Sequence, residues 1–232
     1  MKLPSLKTIL LAALASTGVL GYESVEDAGT LPNSCGKRAP IDGAKPPPPP
    51  ARIARTLVQS ESTGTLSTVF PQGHALAGES LGLMEYYAPC HNNGSLAVLF
   101  FGISLNGKNI LASSNRSATF SIQSPPSRSA ATKPRLAMMG TFEIFGDNYP
   151  YGDELRKCYL KSHPDAWWTP GSHGEGVHGA TWARFDPQTI YFVGGFGGAH
   201  YIGYIPIDLY RSAVPNEAET GSFERFRIEA EK

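Results

Sequence analysis

The chain has 232 residues, with 20 lysines and arginines balanced by 20 aspartates and glutamates, so its formal net charge is zero. That balance excludes the basic footprint that nucleic-acid binding needs, and equally a polybasic membrane-surface role. Three cysteines, Cys35, Cys90 and Cys158, allow at most one internal bridge, so the core rather than a disulfide framework has to hold the fold.

Residues 1–21 read as a signal peptide. Lys2 and Lys7 form the basic start, Ile9 to Ala15 is an apolar run too short to span a bilayer, and Val19-Leu20-Gly21 fits a cleavage site. The remaining chain of about 210 residues is expected to be soluble and large enough for one domain. Two sequons, at Asn93-Gly94-Ser95 and Asn115-Arg116-Ser117, agree with entry into the secretory pathway. The expected destination is the extracellular space, or a vacuole or lysosome. Residues 22–50 lack apolar periodicity and read as a disordered linker, and Pro46 to Pro50 form a stiff polyproline II spacer. Cys90 and Cys158 are the preferred disulfide pair because both fall inside the folded region and Cys35 does not; three unpaired thiols are the alternative.

The folded domain is expected over residues 51–215, with 216–232 as a tail. Ala51 to Val58 has helical spacing, with Ile53, Ala54 and Leu57 on one face. Gly64 to Phe70 alternates as a strand, and Ser80 to Tyr87 reads as a second. Ser95 to Phe101 is nearly all apolar and so predicts a buried strand. A short helix near Asn106 to Leu111 and a strand from Ala118 to Ile122 follow. Ser124 to Thr132 is a Ser/Pro loop. Arg135 to Phe145 predicts a long strand with a bulge at Gly140, and Asp153 to Lys161 a helix that ends at His163-Pro164. Trp182 to Phe185 and Thr189 to Val193 read as two strands around an Asp186-Pro187 turn, and Ile207 to Arg211 as a last helix. Many antiparallel strands with few helices favour a barrel over a parallel sheet.

Several motifs invite chemistry. Gly78-Glu79-Ser80-Leu81-Gly82 matches the nucleophile elbow of esterases, but strand-like rather than helical sequence follows Ser80. Gly194-Gly195-Phe196-Gly197-Gly198 lacks the later glycine and the acidic residue of a dinucleotide fingerprint, and reads instead as a tight backbone passage. His163, His173, His178 and His200 show no metal-ligand spacing, so no metal site is expected. Trp167, Trp168 and Trp182 read as core or interface area.

His163-Pro164-Asp165, Trp167-Trp168 and Pro170-Gly171-Ser172-His173 follow a helix in that order, Gly64 to Thr68 reads as a first barrel strand, and Val193 to Ala199 is a glycine-rich strand end. This set resembles the secreted CREG-type branch of the pyridoxamine 5'-phosphate oxidase-like proteins, from about Ala51 to Ser212. The resemblance implies a mainly β (α+β) fold, an antiparallel split β-barrel with short flanking helices. It also implies a dimeric, secreted or lysosomal glycoprotein with an impaired flavin site. Flavin-binding relatives carry a pattern like Ser-x-Leu-Ala-x-His-Thr-x-Asn where the third strand meets a helix. Aligning its asparagine to Asn109 puts Phe101, Asn106 and Gly107 in place of the serine, histidine and threonine, with Ile103 at the leucine.

The leading expectation is therefore a non-catalytic binding or signalling module, a homodimer with no cofactor and with an unknown protein or small-molecule partner. The alternative is an FMN-dependent oxidoreductase. In it Ser104 and Lys108 would hold the phosphate, and Asn109, or Ser67 and Thr68, would lie near the ring. A serine esterase at Ser80 is the third reading.

Overall fold

Pro50 fills the first position of helix α1 (Pro50–Ser60), where its fixed φ fits and its missing N–H is not needed. The helix thus takes one residue from the expected linker. The computed structural model describes residues 49–216 except 126, 147–148, 167, 171–178 and 197–199. The signal peptide, most of the linker, the tail beyond Asn216, Cys35, Trp167, His173 and His178 lie outside the described residues.

Among the described residues seven strands follow: β1 (Thr63–Val69), β2 (Ser80–Tyr86), β3 (Leu96–Phe101), β4 (Ser117–Gln123), β5 (Arg135–Ile144), β6 (Ala180–Val193) and β7 (Ile202–Ile205). Helix α2 (Leu105–Ala112) lies between β3 and β4, α3 (Gly152–Ser162) between β5 and β6, and α4 (Ile207–Ser212) after β7. A single 3₁₀ turn, Ala130–Thr132, interrupts the Ser/Pro loop. The strand order is β2-β1-β4-β5-β6-β3, with β7 also on β6 and every pair antiparallel. An isolated bridge between Ala88 and Ala97 brings the end of β2 back to β3. The sheet thus closes on itself at one end only, which is the split-barrel architecture expected from the sequence.

The expected turn at Asp186-Pro187 does not exist. Both residues lie inside β6, which runs unbroken for 14 residues. Met139 faces Thr189 and Gly140 faces Pro187, so Gln188 is the extra residue of a bulge on β6 rather than on β5. The bulge accommodates a proline that has no N–H to give the ladder. A Cβ at Gly140 would strike the Asp186 carbonyl, so the glycine is required for this close approach. Strand β7 was not anticipated.

The barrel interior is aromatic. Phe120, Phe142 and Phe185 meet ring to ring, with Leu66, Ile122, Met138, Ile190 and Phe192 around them. A second cluster forms where Ala97, Leu99 and Trp182 pack on Leu155 and Tyr159 of α3. Strand β3 is therefore buried on both faces, which explains its unbroken apolar run. Cys90 and Cys158 form a disulfide, with Cα atoms 5.9 Å apart, that ties the segment after β2 to α3. On the other side Arg55 of α1 is buried. Its guanidinium donates to the Asn92 carbonyl at 2.7 Å and lies 5.2 Å from the centre of the Tyr210 ring.

Candidate functional site

The outward face of the barrel follows from the pleat. Leu66 points inward, so Thr65 and Ser67 point outward, and the register carries that face across the sheet. One row reads Met84, Thr65, Ser121, Ala137, Tyr191 and Tyr204. The next reads Gly82, Ser67, Thr119, Met139 and Thr189. Two clefts share this face. A cavity of about 640 Å³ lies around Thr65, Met84, Ser121, Arg135 and Tyr191. A second, of about 330 Å³, lies nearer α2 and is lined by Ser67, Thr68, Asn109, Thr119 and Thr189 among others.

The wall between the smaller cleft and α2 is a closed polar network. Asn106 and Asn109, one turn apart on α2, share the face that meets β1. The Thr68 hydroxyl donates to Asn106 Oδ1 at 2.8 Å and accepts from Asn109 Nδ2 at 3.0 Å. Asn106 Nδ2 also donates to the Leu66 carbonyl at 3.4 Å. All three side chains are buried, so these bonds replace water that the groups would otherwise need.

Three of the five expected cofactor contacts, Ser67, Thr68 and Asn109, come together at this cleft. Ser104 and Lys108 do not line it. The Ser104 hydroxyl caps α2, accepting from the Gly107 N–H at 2.9 Å and donating to the Phe101 carbonyl at 2.8 Å. Lys108 is exposed on α2.

A flavin phosphate does not fit this donor set. A phosphate dianion needs a cation or free N–H donors at such a place. No charged side chain is among the cleft's described lining residues. The Gly107 N–H is taken by the cap, and the Thr68 hydroxyl is committed on both sides. Sequence reasoning missed Asn106 as the residue that absorbs Thr68. It also missed Ser113, Ser117 and Gln188 as wall residues. The signal for Asn106 was its spacing of three from Asn109.

His163 and Asp165 serve structure. His163 Nε2 donates to the Tyr87 carbonyl at 2.8 Å, and its ring stacks on Tyr86 at 4.3 Å. The Tyr86 hydroxyl donates to Asp165 at 3.2 Å. These contacts clamp the end of β2 to the end of α3. Beside them burial pushes the Glu85 carboxyl up to about 7. Burial, and then the charge of Glu85, also hold the Tyr159 hydroxyl above its ordinary range. Ser80 begins β2, which runs as strand to Tyr86 with no following helix, so the nucleophile-elbow geometry is absent. Gly194 pairs with the Tyr201 carbonyl at 2.9 Å, and Gly195 has φ +150° against His200, consistent with a tight passage.

The CREG beta-barrel family model matches residues 47–212. The chain belongs to the CREG beta-barrel family. Among solved structures it is similar to a heme binding protein from Mycobacterium smegmatis, at 20% identity and a TM-score of 0.58, over 73% of this chain and 62% of that one. It is also similar to the protein Atu2129 of unknown function from Agrobacterium tumefaciens, at 16% identity and a TM-score of 0.51, over 68% of this chain and 64% of that one. The chain thus spans less than two thirds of either structure, and the likeness is one of fold. Comparison with curated proteins finds no match. No helix among the described residues is long and apolar enough to cross a membrane.

Proposed function

We propose that this CREG-family protein is a secreted, glycosylated, non-catalytic binding or signalling module, working as a homodimer. Its flavin-type site is retained in outline and closed in chemistry. One observation carries the reading: the groups that could hold an anionic cofactor tail bond to one another instead. Thr68 is held between Asn106 and Asn109, and Ser104 caps its own helix.

The outward sheet face supports self-association. Met84 and Tyr204 are each 63% exposed and Ile202 54%; Met84 lines the larger cleft, and Tyr204 and Ile202 pair with its wall residues Tyr191 and Val193. Such a grouping of large apolar side chains is the kind a second subunit covers. The proposed location, outside the cell or in a vacuolar or lysosomal lumen, rests on the signal-peptide pattern and the two sequons.

The second reading, an FMN-dependent oxidoreductase, draws on the cleft that joins Ser67, Thr68 and Asn109. Protein purified from a eukaryotic secreting host decides between them. The proposal expects a colourless dimer that shows no saturable quenching of FMN fluorescence on titration. A yellow preparation, or tight uptake of FMN, would overturn it.

A further inference from the structure

The wall of the smaller cleft mixes uncharged polar side chains, among them Ser67, Thr119 and Thr189, with an apolar surface from Val69, Ala118 and Met139. Neutral, multiply hydrogen-bonding walls with one apolar surface suit a carbohydrate ring and not an anion. At about 330 Å³ the cleft lies at the small end of ligand sites, which run from roughly 300 to 1,000 Å³. The remaining question is which sugar would reach it.

Residues 113–117 supply an answer. They form the tight turn between α2 and β4, and Ser113 and Ser117 both line the cleft. The turn is pinned by Ser113 Oγ, which lies 3.1 Å from Ser117 Oγ and accepts from the Ser117 N–H at 3.2 Å. Arg116 sits at φ +52°, and its carbonyl accepts from the Phe142 N–H at 3.0 Å. Asn115, the exposed sequon residue at the tip, accepts from Ser113 Oγ through its own Oδ1 at 2.9 Å. The acceptor amide is therefore one hydrogen bond from the cleft wall. Its Oδ1 meets the wall hydroxyl, and its Nδ2, where a glycan attaches, is the other arm of that amide, so the first sugar starts beside the wall.

We infer that the N-linked glycan of Asn115 seats its first sugar in this cleft, so that the chain's own carbohydrate covers the outward face beside β1 and α2. The inference rests on the sequon reading of the proposed function. A free sugar would bind such a wall weakly, since water competes for every hydrogen bond. Attachment at Asn115 makes the contact intramolecular, at an effective concentration of about millimolar or above. The other sequon lacks these features. The Asn93 Oδ1 accepts from the Ser95 N–H at 3.1 Å, and Ser95, unlike Ser113, lines neither of the two clefts. The glycan and a second subunit would divide the sheet face, with the larger cleft left to the subunit.

The test uses full-length glycoprotein from a eukaryotic secreting host. Peptide mass spectrometry first reads occupancy at Asn115, and an endoglycosidase that cuts between the two core sugars is then applied to native protein. The expected result is release about tenfold slower from Asn115 in wild type than in Thr119→Tyr, whose ring fills the cleft. Hydrogen exchange on wild type alone gives a second reading that needs no variant. Removal of the whole glycan by an amidase, which leaves aspartate at position 115, should raise exchange at 117–119 and 188–190. Bare Asn115 in the secreted protein would overturn the sequon reading and the inference together. An occupied Asn115 with equal release rates, or with exchange unchanged on glycan removal, would overturn the placement alone.

Discussion

Replacing Thr68 by valine keeps the shape of the side chain and deletes one hydroxyl. That hydroxyl is the donor to Asn106 Oδ1 and the acceptor from Asn109 Nδ2. The two losses are not equal. Asn109 lines the smaller cleft, so water can replace the missing acceptor there. Asn106 is 4% exposed and does not line the cleft, so its Oδ1 is left dry. An unsatisfied buried polar group costs about 1–3 kcal/mol, so Thr68→Val should lose about 2 kcal/mol, nearly all of it at Asn106. For a domain of this size that lowers Tm by roughly 4–8 °C. Urea denaturation monitored by tryptophan fluorescence gives the free energy, and Asn106→Leu in the Thr68→Val background should recover part of it. Ser67→Ala, at a half-buried neighbour outside the network, should stay within about 0.5 kcal/mol of wild type. A loss below about 0.5 kcal/mol in Thr68→Val would refute the closed network, and with it the reason for calling the flavin-type site spent.

Removing the disulfide by Cys90→Ala with Cys158→Ala opens a loop of 68 residues and should cost about 4 kcal/mol by the chain-entropy relation, measured by chemical denaturation. Glu85 should make stability depend on pH. Its folded carboxyl titrates at about 7 against an ordinary 4.5, so the folded state holds more protons between those values. Stability from this group is complete below 4.5 and is lost as pH rises through 7; a Tm series should show that slope, and Glu85→Gln should flatten it. Tyr204→Asp with Met84→Asp places charge on the outward face, and light scattering should show a monomer with unchanged circular dichroism. Ser80→Ala should leave ester hydrolysis at background.

Most strands were legible because their burial pattern matched their letters. Gly64 to Phe70 alternates along the sequence, and its inward residues Leu66 and Thr68 are the buried ones. The run from Ser95 to Phe101 was legible as doubly buried for the same reason. Strand β6 was misread at Asp186-Pro187 because an Asp-Pro pair is a turn signal in isolation. Its partner decides otherwise: Gly140, 46 positions away in sequence, has no side chain to block the bulge, and Arg184 anchors Asp186 with two bonds of 2.8 and 2.9 Å. Strand β7 has four residues and three of them are not buried, so it carried no pattern to read. The site was half legible. Ser67, Thr68 and Asn109 were drawn from a family pattern and do meet. Ser104 and Lys108 do not join them, because Ser104 caps its own helix and Lys108 is exposed on α2.

The departures from the flavin-binding pattern are physically coupled. Gly107 stands where that pattern has a threonine, and a Cβ there would collide with the Phe101 carbonyl. Glycine therefore lets α2 begin hard against the end of β3. That position puts Ser104 within reach of both the Phe101 carbonyl and the Gly107 N–H, which uses up the cap. It also turns Asn106, in place of a histidine, onto Thr68 and the Leu66 carbonyl. Restoring a single donor would then not reopen the site. Gly107→Thr should push the helix away and lose stability without gaining flavin, because Thr68 and Ser104 remain committed. A pocket closed by independent losses would behave differently, recovering some affinity with each residue restored.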